Sequence, residues 1–185
     1  MRIGSMSAAV LLALAAVLAA GILMIALGRG DQETGRREVV YEADVPSWSW
    51  SGGSPIDQYF ALLTSTEHLR PAEAALPPQV WAEAGPQIEQ ALAEDKVAIV
   101  AYLGQAPTGG YAIRVRRVEV EVLAEDVTEE DTDETSTVTI RIARRRPSPD
   151  EFVIQTFTNP YDLVTISRDK LPPAPFHVRF VDDDG

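Results

Sequence analysis

Residues 97–122, Val-Ala-Ile-Val-Ala-Tyr-Leu-Gly-Gln-Ala-Pro-Thr-Gly-Gly-Tyr-Ala-Ile-Arg-Val-Arg-Arg-Val-Glu-Val-Glu-Val, constrain the fold more than any other part of this chain. Val97 to Leu103 is a short apolar run ended by Gly104, the pattern of a central strand covered on both faces. Beyond a Pro-Thr-Gly-Gly turn, Tyr111, Ile113 and Val115 alternate with Ala112, Arg114 and Arg116. The apolar set resumes one residue out of phase at Val118, Val120 and Val122. A period of two slips only at a bulge, so Arg116-Arg117 is expected to hold one. The two extended segments are expected to pair as a hairpin through Pro107–Gly110. In that turn Pro107 and Thr108 occupy the central positions, Gly109 takes the left-handed conformation, and Gly110 admits a neighbouring backbone.

Downstream of Lys96 the pattern is nearly all strand and turn. Residues 125–134 hold seven acidic side chains, a run expected at a solvated hairpin tip. Val138, Ile140 and Ile142 mark the returning strand. Phe152–Phe157, Leu163–Ile166 and the segment bearing Phe176, Val178 and Phe180 are further strands, separated by turns at Arg144–Pro149 and Thr158–Tyr161. Upstream, Glu38–Glu42 is a short strand candidate. Ser54-Pro55-Ile56-Asp57 reads as a helix start, followed by an Ile56, Tyr59, Phe60, Leu63 stripe. Arg70–Gly85 reads as a Pro- and Ala-rich connection, and Pro86–Glu94 as a short helix with Ile88, Ala91 and Leu92 inward. The expected fold is β-dominated α+β: an antiparallel β-sandwich or partly open barrel of six or more strands with one or two packed helices.

Ala8–Leu27 contains no charged or strongly polar side chain, and its 20 residues would span roughly 30 Å as a helix, the thickness of a bilayer core. Ala26-Leu27-Gly28 also offers the small residues of a signal-peptide cleavage site, whereas the apolar length favours an uncleaved anchor. The expected organisation is a membrane segment at 1–28, a juxtamembrane linker at 29–53 and a β-rich extracytoplasmic domain at 54–185. Trp48 and Trp50, in Ser-Trp-Ser-Trp-Ser, fit either a membrane interface or the edge of a core. With no Cys, the chain has no disulfide, thiolate nucleophile, Cys-based zinc site or lipid-modified Cys. Its net charge of −12 repels nucleic acid.

No GxSxG, HExxH, Walker or dinucleotide motif is present, and Asp131–Glu134 lacks the glycine and ligand spacing of an EF-hand. His68 and His177 stand alone and read as structural or surface residues. No catalytic residue, metal, cofactor or small-molecule substrate is indicated, and the chain is expected not to be an enzyme. Arg114, Arg116, Arg117, Arg141 and Arg144–Arg146 gather positive charge toward one end of the sheet, a distribution that either orients a partner or simply decorates exposed strands. The candidate contact with a protein partner is Pro107, Thr108, Gly109, Gly110 and Tyr111, a rigid turn that also reads as a purely structural one.

The segment Tyr102-Leu103-Gly104, followed by Pro107–Tyr111 and an alternating strand, resembles the PrcB C-terminal domain family. Arg146, Pro147, Pro149 and Thr158–Val164 extend the resemblance, which covers about 96–166. It implies a non-catalytic extracytoplasmic module associated with a surface protease or another envelope protein. Many family members are lipoproteins, whereas this chain lacks the Cys and would rely on Ala8–Leu27. The turn also looks like the inhibitory loop of chagasin-type cysteine-peptidase inhibitors, although Ala106 stands where that loop has Asn and no second or third inhibitory loop is found. Peptidase inhibition is therefore the alternative reading.

Overall fold

A computed structural model describes residues 35–44, 57–123 and 136–183. The described strands are β1 (Gly35–Glu42), β2 (Tyr59–Leu63), β3 (Lys96–Tyr102), β4 (Ala112–Leu123), β5 (Thr137–Arg145), β6 (Tyr161–Ser167) and β7 (His177–Asp182), with helices α1 (Leu69–Ala75) and α2 (Pro78–Ala93). They form a four-stranded sheet ordered β1-β4-β5-β7 and a three-stranded sheet ordered β2-β3-β6. Neither closes into a barrel. All neighbours are antiparallel except β5 and β7, which run parallel. The expected acidic tip, the Trp pair and the apolar N-terminal segment lie outside the described residues, among which no helix is long and apolar enough to cross a membrane.

The small sheet is the middle layer. Val97, Ile99 and Ala101 face the large sheet and pack against Ile113, Val115, Val118, Val120, Val138, Ile140 and Ile142. Their alternates Ala98, Val100 and Tyr102 face the helices, against Ala72, Leu76, Val80, Ala84 and Ile88. A strand between two apolar layers needs side chains of that kind on both faces, which is why Val97–Leu103 reads as an uninterrupted run. Each large aliphatic side chain it buries contributes about 1.5–3 kcal/mol. At the rim, Phe60 of β2 stacks on Phe180 of β7 with ring centroids 5.7 Å apart, joining the two sheets, and the Arg144 guanidinium lies over Phe60.

The bulge expected at Arg116-Arg117 is present: the β4–β5 register shifts between Val115 and Arg117. A second shift, between Val39 and Tyr41, falls beside it on β1. Asp162 of β6 reaches across from the other sheet to this spot. One of its oxygens accepts the Val115 N–H at 2.8 Å and the other accepts Arg114 Nη1 at 3.0 Å.

Three expectations are corrected. The strands flanking the Pro-Thr-Gly-Gly turn do not pair: β3 lies between β2 and β6, and β4 between β1 and β5, so Leu103–Tyr111 is a crossover between sheets. Gly104 turns the chain with φ 94°, and Ala106 pairs with Thr158 instead of continuing toward β4. Next, Tyr59–Leu63 is strand β2 and not a helix. The expected start at Ser54, Pro55 and Ile56 lies outside the described residues; Asp57 has φ 69°, outside the helical region, and the five residues alternate between the two cores, Phe60 and Leu62 toward one and Tyr59, Ala61 and Leu63 toward the other. A short apolar run carries no periodicity that separates the two states. Finally, the connection expected at Arg70–Gly85 is largely helical. Pro71 and Pro78 fall in the first turns of α1 and α2, where a missing N–H costs nothing, and Pro86 is tolerated inside α2 because its apolar face is held by β3. Ile88 and Ala91 are buried as expected, in a helix that starts eight residues earlier.

Asp162 accepts a backbone N–H immediately beside the bulge. Asp162→Ala is expected to lower stability by about 2 kcal/mol, read from the urea midpoint at unchanged m-value.

Candidate functional site

The crossover between β3 and β4 is held down by residues 147–158, which the sequence pattern assigned in part to a strand at Phe152–Phe157 and which form a loop. Ala106 and Thr158 exchange two backbone hydrogen bonds, of 2.8 and 2.9 Å. Thr158 Oγ1 donates to the Thr108 carbonyl at 2.9 Å, and the Gly109 N–H donates to the Ile154 carbonyl at 2.9 Å. From β5, Arg145 donates to the Gly110 carbonyl at 2.9 Å and to Glu151 at 2.6 Å, while Glu151 also accepts the Ser148 N–H.

The left-handed conformation expected at Gly109 falls on Gly110, and both glycines are closely approached, Gly110 by Val153 and Pro147. Gly110 has the positive φ, 83°, and Gly109 lies so close under the Ile154 side chain that a Cβ there would sit 2.6 Å from Cγ1. Of the five expected contact residues, Pro107 is exposed, Thr108 and Gly110 are half-buried, Gly109 is buried, and Tyr111 packs against the core between the sheets. The turn is thus seated against the protein.

What this seating presents to solvent was missed in the sequence. Phe152, Ile154 and Phe157 are 105%, 65% and 69% exposed, three large apolar side chains within six residues. A strand would have hidden alternate members of that run. As a loop, residues 152–157 bury only part of Val153 and turn the rest outward. The available signal was the position of the run between Pro147-Ser148-Pro149 and Asn159-Pro160, breakers on both sides with little length between.

The expected arginine-rich end is largely neutralised. Arg114 pairs with Asp162, Arg116 with Asp183, Arg117 with Glu42 and Glu119, Arg141 with Glu119, Arg144 with Asp182 and Arg145 with Glu151. These pairs lie along the strands and leave no wide basic field. His68 is structural, its Nδ1 accepting the Thr64 N–H at 3.1 Å, and His177 is exposed on β7. Among the described residues no group of three or more His, Asp or Glu is placed to hold a metal ion.

The Arg145 hydrogen bond, then the Ser148 N–H, hold the Glu151 carboxyl below its ordinary value of 4.5. A lowered folded-state pKa means the contact is complete above that ordinary value and is lost as pH falls through the lowered one. Acidification through this window is expected to lower the protection factor of the Gly109 amide, its exchange rate relative to that of an unstructured amide at the same pH, because its bond to Ile154 depends on the loop staying seated. Glu151→Gln should show a lower Gly109 protection factor already at neutral pH and no further loss of protection across the window, as measured by NMR.

No curated protein and no solved structure matches this chain. Residues 97–167, less than half of its 185, match the family model PrcB C-terminal. The match runs from the middle-layer strand β3 through the crossover, β4, β5 and the clamping loop to the last residue of β6. The family that the Tyr102–Gly104, Pro107–Tyr111 and Thr158–Val164 motifs resemble is therefore the one whose model the central segment of this chain fits.

Proposed function

We propose that this protein is a non-catalytic accessory module that docks on a protein partner at the cell envelope, a surface protease or another envelope protein, while Ala8–Leu27 holds it in the membrane with the body outside. The observation that carries this reading is the exposure of Phe152, Ile154 and Phe157 on a loop fixed to the Pro107–Tyr111 turn. Side chains of that size, clustered in solvent on a rigid support, are the usual content of a protein–protein contact. The match to the PrcB C-terminal family supports an accessory role.

The position of the chain's entry fits the reading. Residue 35 pairs with Leu123 at one end of the large sheet, whereas the clamping loop leaves from the other end, where Ala112 pairs with Arg145. Twelve residues of β4 separate the ends, roughly 36 Å. The apolar loop is therefore at the end of this sheet opposite residue 35. The inhibitor alternative needs a turn that protrudes into an active-site cleft. Here Gly109 is buried beneath Ile154, which favours docking over insertion.

A tagged full-length chain, solubilised from membranes with its bound proteins, tests this. Phe152→Ser combined with Phe157→Ser is expected to reduce recovery of the partner at least tenfold while the melting temperature stays within a degree or two, since neither side chain is buried. Equal recovery with the double variant would remove the patch from the contact.

A further inference from the structure

Beside the apolar loop, on the far side of the Ala106–Thr158 bridge, lies a cavity of about 380 Å³. Its apolar floor is the α1–α2 turn, around Leu76, and its polar groups are Asp57, Gln79, Tyr102, Gln105 and Asn159. The Tyr102 hydroxyl donates to Asn159 Oδ1 at 3.0 Å, fixing two of these groups against each other. Among the described residues that line it, Asp57 is the one that carries a charge. Its backbone φ is 69°, a conformation few non-glycine residues adopt, two residues before β2 begins.

The bridge makes the cavity and the patch one surface. In an antiparallel pair, the residues flanking Ala106 and Thr158 fall opposite each other: Gln105 beside Asn159, and Pro107 beside Phe157. The first couple lines the cavity and the second belongs to the apolar patch. We infer that the partner segment is apolar with an adjacent Arg or Lys, its apolar residues lying on Phe152, Ile154 and Phe157 and its basic side chain entering the cavity toward Asp57. This rests on the docking role proposed above and names the chemistry of what docks.

Charge and polarity select that occupant. The described lining residues offer one carboxylate, several amide and hydroxyl groups able to accept hydrogen bonds, and no basic side chain, so they suit a donor-rich cation and disfavour an anion. Burial, and after it the charge of Asp57, raises the Tyr102 pKa, so the field of that carboxylate reaches into the cavity. The whole chain carries a net charge of −12, which steers basic segments toward it.

The test is an NMR titration of the full chain in detergent with the tripeptide acetyl-Phe-Arg-Phe-amide, its Phe-Glu-Phe counterpart and acetyl-arginine amide. The arginine tripeptide is expected to shift the Gln105 and Asn159 side-chain amides together with the Phe152–Phe157 backbone. Asp57→Asn, which keeps a side chain tolerant of positive φ, should weaken that binding about tenfold at unchanged melting temperature. The glutamate peptide should leave the cavity signals unmoved. Equal binding by Asp57→Asn, or shifts confined to Phe152–Phe157, would overturn the cavity's role and leave apolar docking intact. Acetyl-arginine amide binding as tightly as the arginine tripeptide would overturn it in favour of a free small cation. No shift at Phe152–Phe157 with either peptide, together with undiminished partner recovery by the double Phe variant, would instead overturn the docking role itself.

Discussion

Everything in this domain is arranged around β3, a strand hydrogen-bonded along both edges and covered by apolar layers on both faces. Its residues from Val97 to Tyr102 supply one side chain after another to two separate cores, one shared with the large sheet and one with the helices. Such a strand cannot be displaced without opening both cores. The chain leaving its end must also go somewhere other than back along its own edge, because β2 and β6 already occupy both edges. The crossover into the large sheet follows, and with it the need to satisfy the backbone of an isolated connecting segment.

That need explains the clamp. Between Ala106 and Gly110 the chain belongs to neither sheet; residues 147–158 supply its partners through backbone pairing at Ala106, the Thr158 hydroxyl and the Ile154 carbonyl, and Arg145 of β5 adds one more. Polar groups on the inner side of the clamping loop are used in this way. The apolar side chains of Phe152, Ile154 and Phe157 are left on the outer side, with no core available to them. Asp162 of β6 does a similar service beside the bulge of β4, so residues 147–162 supply contacts to both irregular points of the chain that precedes them.

The sequence was informative where a single physical rule governs. Burial on two faces produced the unbroken apolar run of β3, and the phase slip at Arg116-Arg117 produced a bulge at that residue pair. It was uninformative where competing rules have the same signature. Pro-Thr-Gly-Gly between two extended runs fits a hairpin and a crossover equally well, since what decides is whether the edges of β3 are already taken, a non-local fact. Tyr59–Leu63 is too short for its period to be read, and the prolines of α1 and α2 suggest a coil unless their positions within the first turns are known. At the candidate site the turn itself was legible. The partner of the turn, and the outward cluster it carries, depended on a contact some forty residues away that no local pattern encodes.

The most direct measurement of the central claim is a set of backbone nuclear Overhauser contacts on the full chain. The arrangement described requires cross-strand contacts of Ala98 with Thr165, Tyr102 with Tyr161 and Ala106 with Thr158. A ladder of contacts between Tyr102 and Ala112, continuing down β3 and β4 as neighbours in one sheet, would contradict it and return the turn to an ordinary hairpin.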